Sequence, residues 1–322
     1  MVPALRVGRF PHSTQRTRSR DRDLASAMAA GYALNVLWKL RDRTISFPRR
    51  PLLMGIVNVN DDSFCNDGTL DSREALAQAL ACVNTGADVI DLGAESARTN
   101  RRPITVEEEI HRISGVIAGW NEMVRCASPR DATQVWPPVL SVNTWRPEVV
   151  EFALTFPWVE LINDMGTLPD ATNARLCAEA GASLLIMHGA GEPKIAQTDR
   201  MWDDVVGDME SFFRDKITLA CAAGLDPDQI ILDPGIDFAK QRDDNLAVYR
   251  HLDRLRAFGR PLMVPVSRKT VIGRVLGISN PLERDAGTMA CIAMSMRAGA
   301  EIFRVHNIDA AWSAVKVLWS MR

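Results

Sequence analysis

The 322-residue chain has no apolar run long enough to cross a membrane. The longest candidate, residues 25–40, is interrupted by Asn35 and Lys39, whereas a spanning helix needs roughly 20 consecutive apolar residues. Cysteine is also scarce, because the six cysteines are widely scattered and form no C-x-x-C pair. We therefore expect free thiols in a reducing compartment, no zinc site or disulfide framework, no membrane partner and a cytoplasmic location.

Neither sign of charge dominates, since 38 Lys and Arg face 40 Asp and Glu. The balance is uneven along the chain: residues 1–50 hold 11 basic and 3 acidic residues, which leaves 27 basic and 37 acidic residues in the remainder. Because the remainder is acidic, we expect no nucleic-acid partner. The Arg- and Ser-rich residues 1–35 are expected to form a flexible basic extension, with an organelle transit peptide or a partner-binding arm as alternatives.

Two glycine-rich nucleotide-binding motifs are missing. No G-x-G-x-x-G follows the first apolar run, and the chain has no G-x-x-x-x-G-K-[ST], so the sequence GAGEP at 189–193 is expected to be an ordinary loop. The chain has five histidines, and of these only His188 and His306 stand at predicted strand ends. These shortages disfavour a P-loop nucleotide hydrolase and a transition-metal site.

From residue 51 onward, a short apolar run followed by a stretch with helical spacing repeats eight times. Near-continuous apolar runs are typical of parallel strands that are covered by helices. The runs lie at 52–59, 88–96, 138–144, 159–165, 183–189, 229–235, 261–267 and 301–306, and helices are predicted over segments such as 72–87, 105–120, 146–154 and 244–258. This order predicts an α/β fold, a single (β/α)8 TIM barrel, with an open doubly wound sheet as the alternative.

Polar side chains stand at the carboxyl end of the predicted strands, where the active site of a (β/α)8 barrel lies. In chain order these strand-end residues are Asn58, Asp91 with Glu95, Asn143, Asn163 with Asp164, Met187 with His188, Asp233, Ser267 with Lys269, and Arg304 with His306. Any one of them could be a helix cap or a loop hydrogen bond. Polar residues after all eight strands indicate a site.

Two chemical groups make up this rim. The amides and carboxylates, which have the hydrogen-bonding edges to recognise a flat heterocycle, are Asn143, Asn163 and Asp233. The cations, which would bind a phosphate or diphosphate, are Arg98, Lys269, Arg304 and His306. Asn58 or Asp62 would help to hold a magnesium ion. A heterocyclic phosphoester is therefore the predicted ligand.

The strand-end motifs resemble those of the dihydropteroate synthase family. MGIVNVNDDSF (54–64) is similar to the family's M-G-I-L-N-V-T-P-D-S-F, and VIDLGAESAR (89–98) is similar to I-D-I-G-G-E-S-T-R. The other matching blocks, in order, are SVNT (141–144), INDM (162–165), MH (187–188), ILDPGIDFAK (231–240), SRK (267–269) and FRVH (303–306). The resemblance covers about residues 36–322 and implies a pterin-binding barrel, with WKLRDRTISF resembling the hairpin that plugs its bottom.

The resemblance also implies an activity and a role for each site residue. The family joins 6-hydroxymethyl-7,8-dihydropterin pyrophosphate to p-aminobenzoate and releases diphosphate, in folate biosynthesis. Residues implied for the pterin are Asn143, Asn163, Met187, Asp233 and Lys269, and those for the p-aminobenzoate side are Arg98, Phe238, Ser267 and Arg268. Residues implied for the diphosphate are Asn58, Arg98, Arg304 and His306, with Mg²⁺ at Asn58. Lys269, Arg304 and Asp233 would be catalytic, in a homodimer.

Several positions depart from the family pattern. Asn143 replaces the third-strand aspartate, Ala97 replaces a hydroxyl residue, Asp237 and Ala239 replace glycines, and Pro265 replaces the glycine before SRK. If the missing carboxylate stabilises the reacting cation, its loss costs on the order of 2–4 kcal/mol, a factor of roughly 30 to 1,000 in rate. These departures leave a pterin-binding paralogue with little or no turnover as one alternative, and they predict altered arylamine selection. A folate-dependent methyltransferase on a related pterin-binding barrel is the other alternative, although the SRK and RVH blocks argue against it.

Overall fold

The computed structural model describes residues 35–61, 65, 68–95, 102–195, 197 and 200–322. The predicted basic extension, apart from its last residue, lies outside the described residues. An antiparallel hairpin comes first, with β1 (Val36–Lys39) paired to β2 (Thr44–Phe47). The strands that follow it are β3 (Leu52–Asn58), β4 (Val89–Gly93), β5 (Val139–Asn143), β6 (Val159–Asp164), β7 (Ser183–Met187), β8 (Ile230–Asp233), β9 (Met263–Val264) and β10 (Ile302–Val305).

These eight strands form the predicted barrel. They are parallel and lie in the order β8-β7-β6-β5-β4-β3-β10-β9. A parallel bridge between Leu232 and Leu262 joins the two ends of the sheet. The (β/α)8 prediction is therefore confirmed, and each strand lies within one of the eight predicted runs.

The described residues include nine α-helices that surround the strands. They are α1 (Ser72–Asn84), α2 (Val106–Cys126), α3 (Pro147–Leu154), α4 (Thr172–Ala180), α5 (Val205–Ala222), α6 (Arg242–Arg250), α7 (Thr270–Leu276), α8 (Asp285–Arg297) and α9 (Ile308–Ser320). Side chains of Asp71, Thr105, Asp204 and Asn307 cap the amino ends of α1, α2, α5 and α9. None of the described helices is both long and apolar enough to span a membrane.

One predicted helix differs in the structure. The segment 244–258 was expected to be a single helix, but α6 ends at Arg250 and Leu252–Phe258 forms a 3-10 helix. His251 between them has φ −122° and ψ 21°, which lies outside the α-helical region. Because both pieces bury apolar residues with similar spacing, the sequence pattern does not reveal the break.

The hairpin fills the lower end of the barrel. Trp38 is completely buried, and its indole Nε1 donates to Ser183 Oγ at 2.9 Å. Phe47 and Leu40 join it in a cluster with inward-facing side chains of the strands, among them Leu52 and Val139. This packing closes the amino-terminal end of the barrel and leaves the carboxyl ends of the strands for a site. All six cysteines lie in the described part of the chain, and none of them forms a disulfide bond there.

Candidate active site

A cavity of about 530 Å³ opens at the carboxyl ends of the barrel strands. That volume lies in the range of about 300–1,000 Å³ that is usual for small-molecule sites. The predicted site residues that line it are Asn58, Asn143, Asn163, Met187, Asp233, Phe238, Ser267, Lys269, Arg304 and His306. The structure therefore brings together side chains that are up to about 250 positions apart in the sequence.

Asp91 of β4 hydrogen-bonds to side chains that form the wall of the cavity. Its side chain is completely buried and accepts a hydrogen bond from Ser141 Oγ at 2.6 Å. It also accepts from the amides of Asn143 at 3.2 Å and Asn163 at 3.0 Å, and from Arg304 Nε at 2.7 Å. The sequence analysis placed Asp91 at a strand end but gave it no role, because the sequence shows no cross-strand contacts.

Asp233 at the end of β8 supplies a buried carboxylate that lines the cavity. It is 3% exposed and accepts the backbone N–H of Gly235 at 2.7 Å. Burial raises the pKa of Asp233 to about 6, against the opposing effects of Lys269, Lys240 and Arg304. At neutral pH this group is therefore mostly ionised and accepts hydrogen bonds.

Two lysines flank Asp233. Lys240 is buried, and its Nζ donates to the carbonyls of His188, Gly235 and Phe238 at 3.2, 3.0 and 3.1 Å, while burial lowers its pKa to about 7. Lys269 donates to a backbone carbonyl at 2.9 Å, and burial lowers its pKa although Asp237 and Asp233 act in the opposite direction. Lys240 was not among the predicted site residues, although it is the last residue of the ILDPGIDFAK block.

A third group of side chains can hold an anion. Arg304 faces the cavity, and the salt bridge from its Nε to Asp91 fixes it in place. The Nδ1 atom of His306 lies 2.8 Å from Ser267 Oγ, which also accepts the His306 backbone N–H at 3.1 Å. With Lys269 and Asn58 nearby on the lining, this side of the cavity is rich in donors and positive charge.

The remaining wall is formed by the loop after β8. Phe238 lies beneath the ammonium of Lys269, with 5.1 Å from Nζ to the ring centroid. Asp237 and Ala239 adopt positive φ values of 69° and 51°, the region that favours glycine. Asp237 is held there because its carboxylate accepts the backbone N–H groups of the first two residues of α7. The loop is thereby joined to the SRK segment.

Some predicted residues lie elsewhere. Arg98 lies outside the described residues, as does Ala97. Arg268 does not line the cavity, because its guanidinium makes a two-point ion pair with Asp285, with Nε–Oδ1 2.7 Å and Nη2–Oδ2 3.1 Å. His188 points out of the barrel, where it contacts Asp208 and packs against the edges and tilted faces of aromatic rings, because successive side chains of a strand face opposite sides.

The segment GAGEP is more than the ordinary loop that was expected. All five of its residues stand on the cavity lining, and so does the following Lys194. The Nζ atom of Lys194 lies 3.4 Å from Glu95 Oε1 on the opposite loop, and both side chains are nearly buried. This ion pair joins the loop after β7 to the loop after β4 on the lining of the cavity.

The sequence from residue 54 to 306 matches the family described as pterin binding enzyme. The dihydropteroate synthase of Neisseria meningitidis serogroup B is 36% identical over 274 residues, which are 83% of this chain and 92% of that protein. This chain belongs to the dihydropteroate synthase family. The dihydropteroate synthase of Bacillus subtilis is 34% identical over 86% of this chain and 90% of its own length.

Solved dihydropteroate synthases share the fold. The Yersinia pestis dihydropteroate synthase with a sulfonamide drug complex superposes with a TM-score of 0.79 and 30% identity, covering 89% of this chain and 99% of that chain. The Xanthomonas albilineans dihydropteroate synthase with 4-aminobenzoic acid gives a TM-score of 0.76 and 30% identity, covering 89% and 98%. The chain is thus a transferase of the dihydropteroate synthase type.

Proposed function

We propose that this protein condenses 6-hydroxymethyl-7,8-dihydropterin pyrophosphate with p-aminobenzoate or a related arylamine, and releases diphosphate, in cytoplasmic folate biosynthesis. The observation that carries the proposal is one cavity that places Asn163 and Asp233 beside the cations Lys269 and Arg304. The first pair provides acceptors for the N–H groups of a pterin ring, and the second pair provides positive charge for a diphosphate.

The reaction follows from this division of the cavity into acceptors for the ring and cations for the diphosphate. The bond between the methylene carbon and the diphosphate oxygen breaks first, as the resemblance implies, and Arg304, His306 and Lys269 stabilise the negative charge of the leaving group. The amine nitrogen then bonds to the methylene cation and releases its proton to solvent. Asp233, buried and mostly ionised at neutral pH, holds the ring while the cation exists. The loop that is tied by Lys194 limits access of water.

Magnesium is proposed as the cofactor that accompanies the diphosphate. Mg²⁺ usually takes one or two protein oxygens together with phosphate oxygens and water. Asn58 places an amide on the lining beside the cationic wall, which fits this pattern, and the described residues contain no cluster of three His, Cys, Asp or Glu that would form an all-protein cage. Asn58 would hold the ion, which would neutralise charge on the leaving diphosphate.

The test of the function is diphosphate release by the purified protein with magnesium and the pterin pyrophosphate. We expect release that depends on p-aminobenzoate and is matched by formation of dihydropteroate. Pterin binding without release would favour the paralogue without turnover. Transfer of a methyl group from a methylfolate would favour the methyltransferase, although a substrate without diphosphate leaves the side chains of Arg304 and His306 without a role.

The choice of arylamine is expected to differ from that of a typical family member. The reason is that Asp237 places a carboxylate next to Phe238 on the cavity lining. That negative charge disfavours the carboxylate of p-aminobenzoate, and the neighbouring Lys269 and the backbone N–H groups at the amino end of α7 offset part of it. The release assay should therefore include p-aminobenzamide, which is neutral.

We also propose a homodimer. The apolar side chains of Leu276 on α7, Leu282 just before α8 and Met294 on α8 are 50%, 54% and 49% exposed. Exposed apolar residues on adjoining elements are typical of a subunit interface. Light scattering is expected to give twice the chain mass of 35.6 kDa.

Replacing Leu276 with glutamate is expected to produce a monomer, because a charge at an apolar interface loses its hydration. The comparison variant is Val317→Glu on α9, whose side chain is 53% exposed and is not part of the proposed patch. That control should stay dimeric. A monomeric parent protein would refute the interface.

A further inference from the structure

Lys240 carries a buried ammonium outside the groups assigned to the two substrates. The residue is 6% exposed, and its Nζ atom donates to the carbonyl oxygens of His188 at 3.2 Å, Gly235 at 3.0 Å and Phe238 at 3.1 Å. An ammonium has three N–H donors and no acceptor, so these carbonyls use all of its hydrogen bonds. Lys240 therefore has no donor left for a substrate, and its role lies in the carbonyls that it binds.

The three carbonyls belong to two different loops. His188 directly follows β7, whereas Gly235 and Phe238 lie in the loop after β8. Gly235 has a positive φ of 63°, and a Cβ atom at this position would collide with the carbonyl oxygen of His188. A glycine is therefore needed for the two loops to approach this closely. The approach brings carbonyl oxygens of both loops to one point, where the ammonium of Lys240 joins them.

The backbone of Phe238 is held on both sides by this arrangement. Its N–H donates to the Gly235 carbonyl at 3.0 Å, and its own carbonyl accepts from Lys240. Its neighbours Asp237 and Ala239 both have positive φ values, which residues other than glycine keep only when the surrounding contacts hold them there. Without the bonds from Lys240 this segment would relax, and the Phe238 ring on the cavity lining would move with it.

The charge of Lys240 has no carboxylate partner at ion-pair distance in the part of the chain that the structure describes. Asp233 is connected to it only through Gly235, whose N–H donates to Asp233 Oδ1 at 2.7 Å while its carbonyl accepts from Lys240. A buried charge without a close counter-charge costs stability, and an apolar side chain of similar length would avoid that cost. What the lysine contributes is therefore the geometry of the two loops.

We infer that Lys240 is a positioning residue for the arylamine, because it joins the two loops and thereby fixes the ring of Phe238 on the cavity wall. The inference rests on the proposed function, in which Phe238 stands on the arylamine side of the cavity. Lys240 acts through this ring and donates to neither substrate. Its loss should therefore weaken the affinity for the arylamine much more than the affinity for the pterin pyrophosphate.

The test is the steady-state rate of diphosphate release at pH 7 by the full-length parent and by Lys240→Met, which has a side chain of similar length without donors. We expect the KM for p-aminobenzoate to rise at least about tenfold, because a small displacement of a positioning group has effects of this size. The KM for the pterin pyrophosphate should stay within about threefold, since Lys269 and Arg304 still favour the ionised form of Asp233.

Two results would contradict the inference. If both KM values rise equally, or if neither changes, Lys240 does not position the arylamine, and the proposed function still stands. A parent protein without arylamine-dependent release of diphosphate would overturn the proposed function and the inference together.

A double-mutant cycle tests whether Lys240 acts through Phe238. Phe238→Ala removes the ring that the lysine is inferred to place, so Lys240→Met should raise the arylamine KM of that variant by less than about twofold. Effects of the two substitutions that multiply in the double variant would show that Lys240 acts by another route and would overturn the inference.

A role limited to stability would lower the melting temperature and the amount of active protein without changing either KM. The matched control is Lys216→Met, because Lys216 Nζ also donates to a loop carbonyl, that of Leu168 at 2.8 Å, and neither residue is on the cavity lining. It should keep both KM values. If Lys240→Met does not fold, Lys240→Gln gives the decision, since it keeps two N–H donors and loses the charge. Its arylamine KM should rise by a smaller factor, and the parent value in this variant would overturn the inference.

Discussion

Asp233→Asn is expected to lower kcat/KM by about a hundredfold, or about 2.7 kcal/mol in the activation free energy. An ionised carboxylate accepts two N–H groups of a pterin ring, whereas asparagine offers one acceptor and an –NH₂ group that meets a donor. Because Asp233 is 3% exposed, water cannot replace the lost contact. Kinetics with the pterin pyrophosphate as the varied substrate measure the effect.

The pH dependence of pterin binding provides a second test of Asp233. Burial raises the pKa of Asp233 from 3.8 to about 6, so the carboxylate is ionised above this pH and protonated below it. Pterin affinity of the parent should therefore be present at pH 7 to 8 and fall as the pH drops through about 6. Asp233→Asn should bind weakly at every pH between 5 and 8.

Asp243→Asn on α6, where the side chain is 86% exposed, is the matched control and should keep the parent profile. An acid limb that persists in Asp233→Asn would assign the titration to another group.

Asn143→Asp is expected to change the pH profile as well as the rate. The amide of Asn143 donates to Asp91 at 3.2 Å, so an aspartate at this position would set two carboxylates against each other. Like charges at this distance raise the pKa of one of the pair. The new negative charge is therefore present only at higher pH. There it can stabilise the methylene cation and raise the rate by roughly 30- to 1,000-fold.

The measurement is kcat from pH 6 to 9 for the parent and the variant. The rate of Asn143→Asp relative to the parent should increase with pH and be close to one at the acid end. The control is Asn173→Asp, because Asn173 also donates to a buried carboxylate, Asp164 Oδ2 at 2.8 Å, but lies off the cavity lining. It should share any loss of stability without the gain in rate. A ratio that does not depend on pH would show that no shared proton forms between residues 91 and 143.

The sequence by itself determined the fold class and the edge on which the site lies. Each of the eight apolar runs has no polar face for solvent, so both of its faces are buried, as in a parallel sheet that is covered by helices. Parallel strands bring their carboxyl ends to one side of the sheet. Asn58, Asn163, Asp233 and Arg304 could therefore be named as site residues from their places after the runs. Each of them lines the cavity.

The tertiary structure decided which of two adjacent residues at a strand end faces the cavity. Met187 and Asn163 point into the barrel whereas His188 and Asp164 point outwards, because the side-chain direction alternates and a one-residue change of register would invert it. Arg268 follows Ser267 directly, yet it pairs with Asp285 at a positive φ of 56° instead of lining the cavity. Runs that are apolar throughout carry no alternation from which this direction could be read.

Contacts between distant strands were likewise decided only by the folded chain. Asp91 meets Asn143, Asn163 and Arg304 through the registers of β4, β5, β6 and β10, and Lys240 reaches three carbonyls through the conformation of one loop. Both Asp91 and Lys240 are buried ionisable side chains, and a buried charge is stabilised only by partners that the fold brings to it. The sequence thus determines which chemical groups reach the rim of the barrel, and the tertiary structure determines how they are paired and which atoms remain for a ligand.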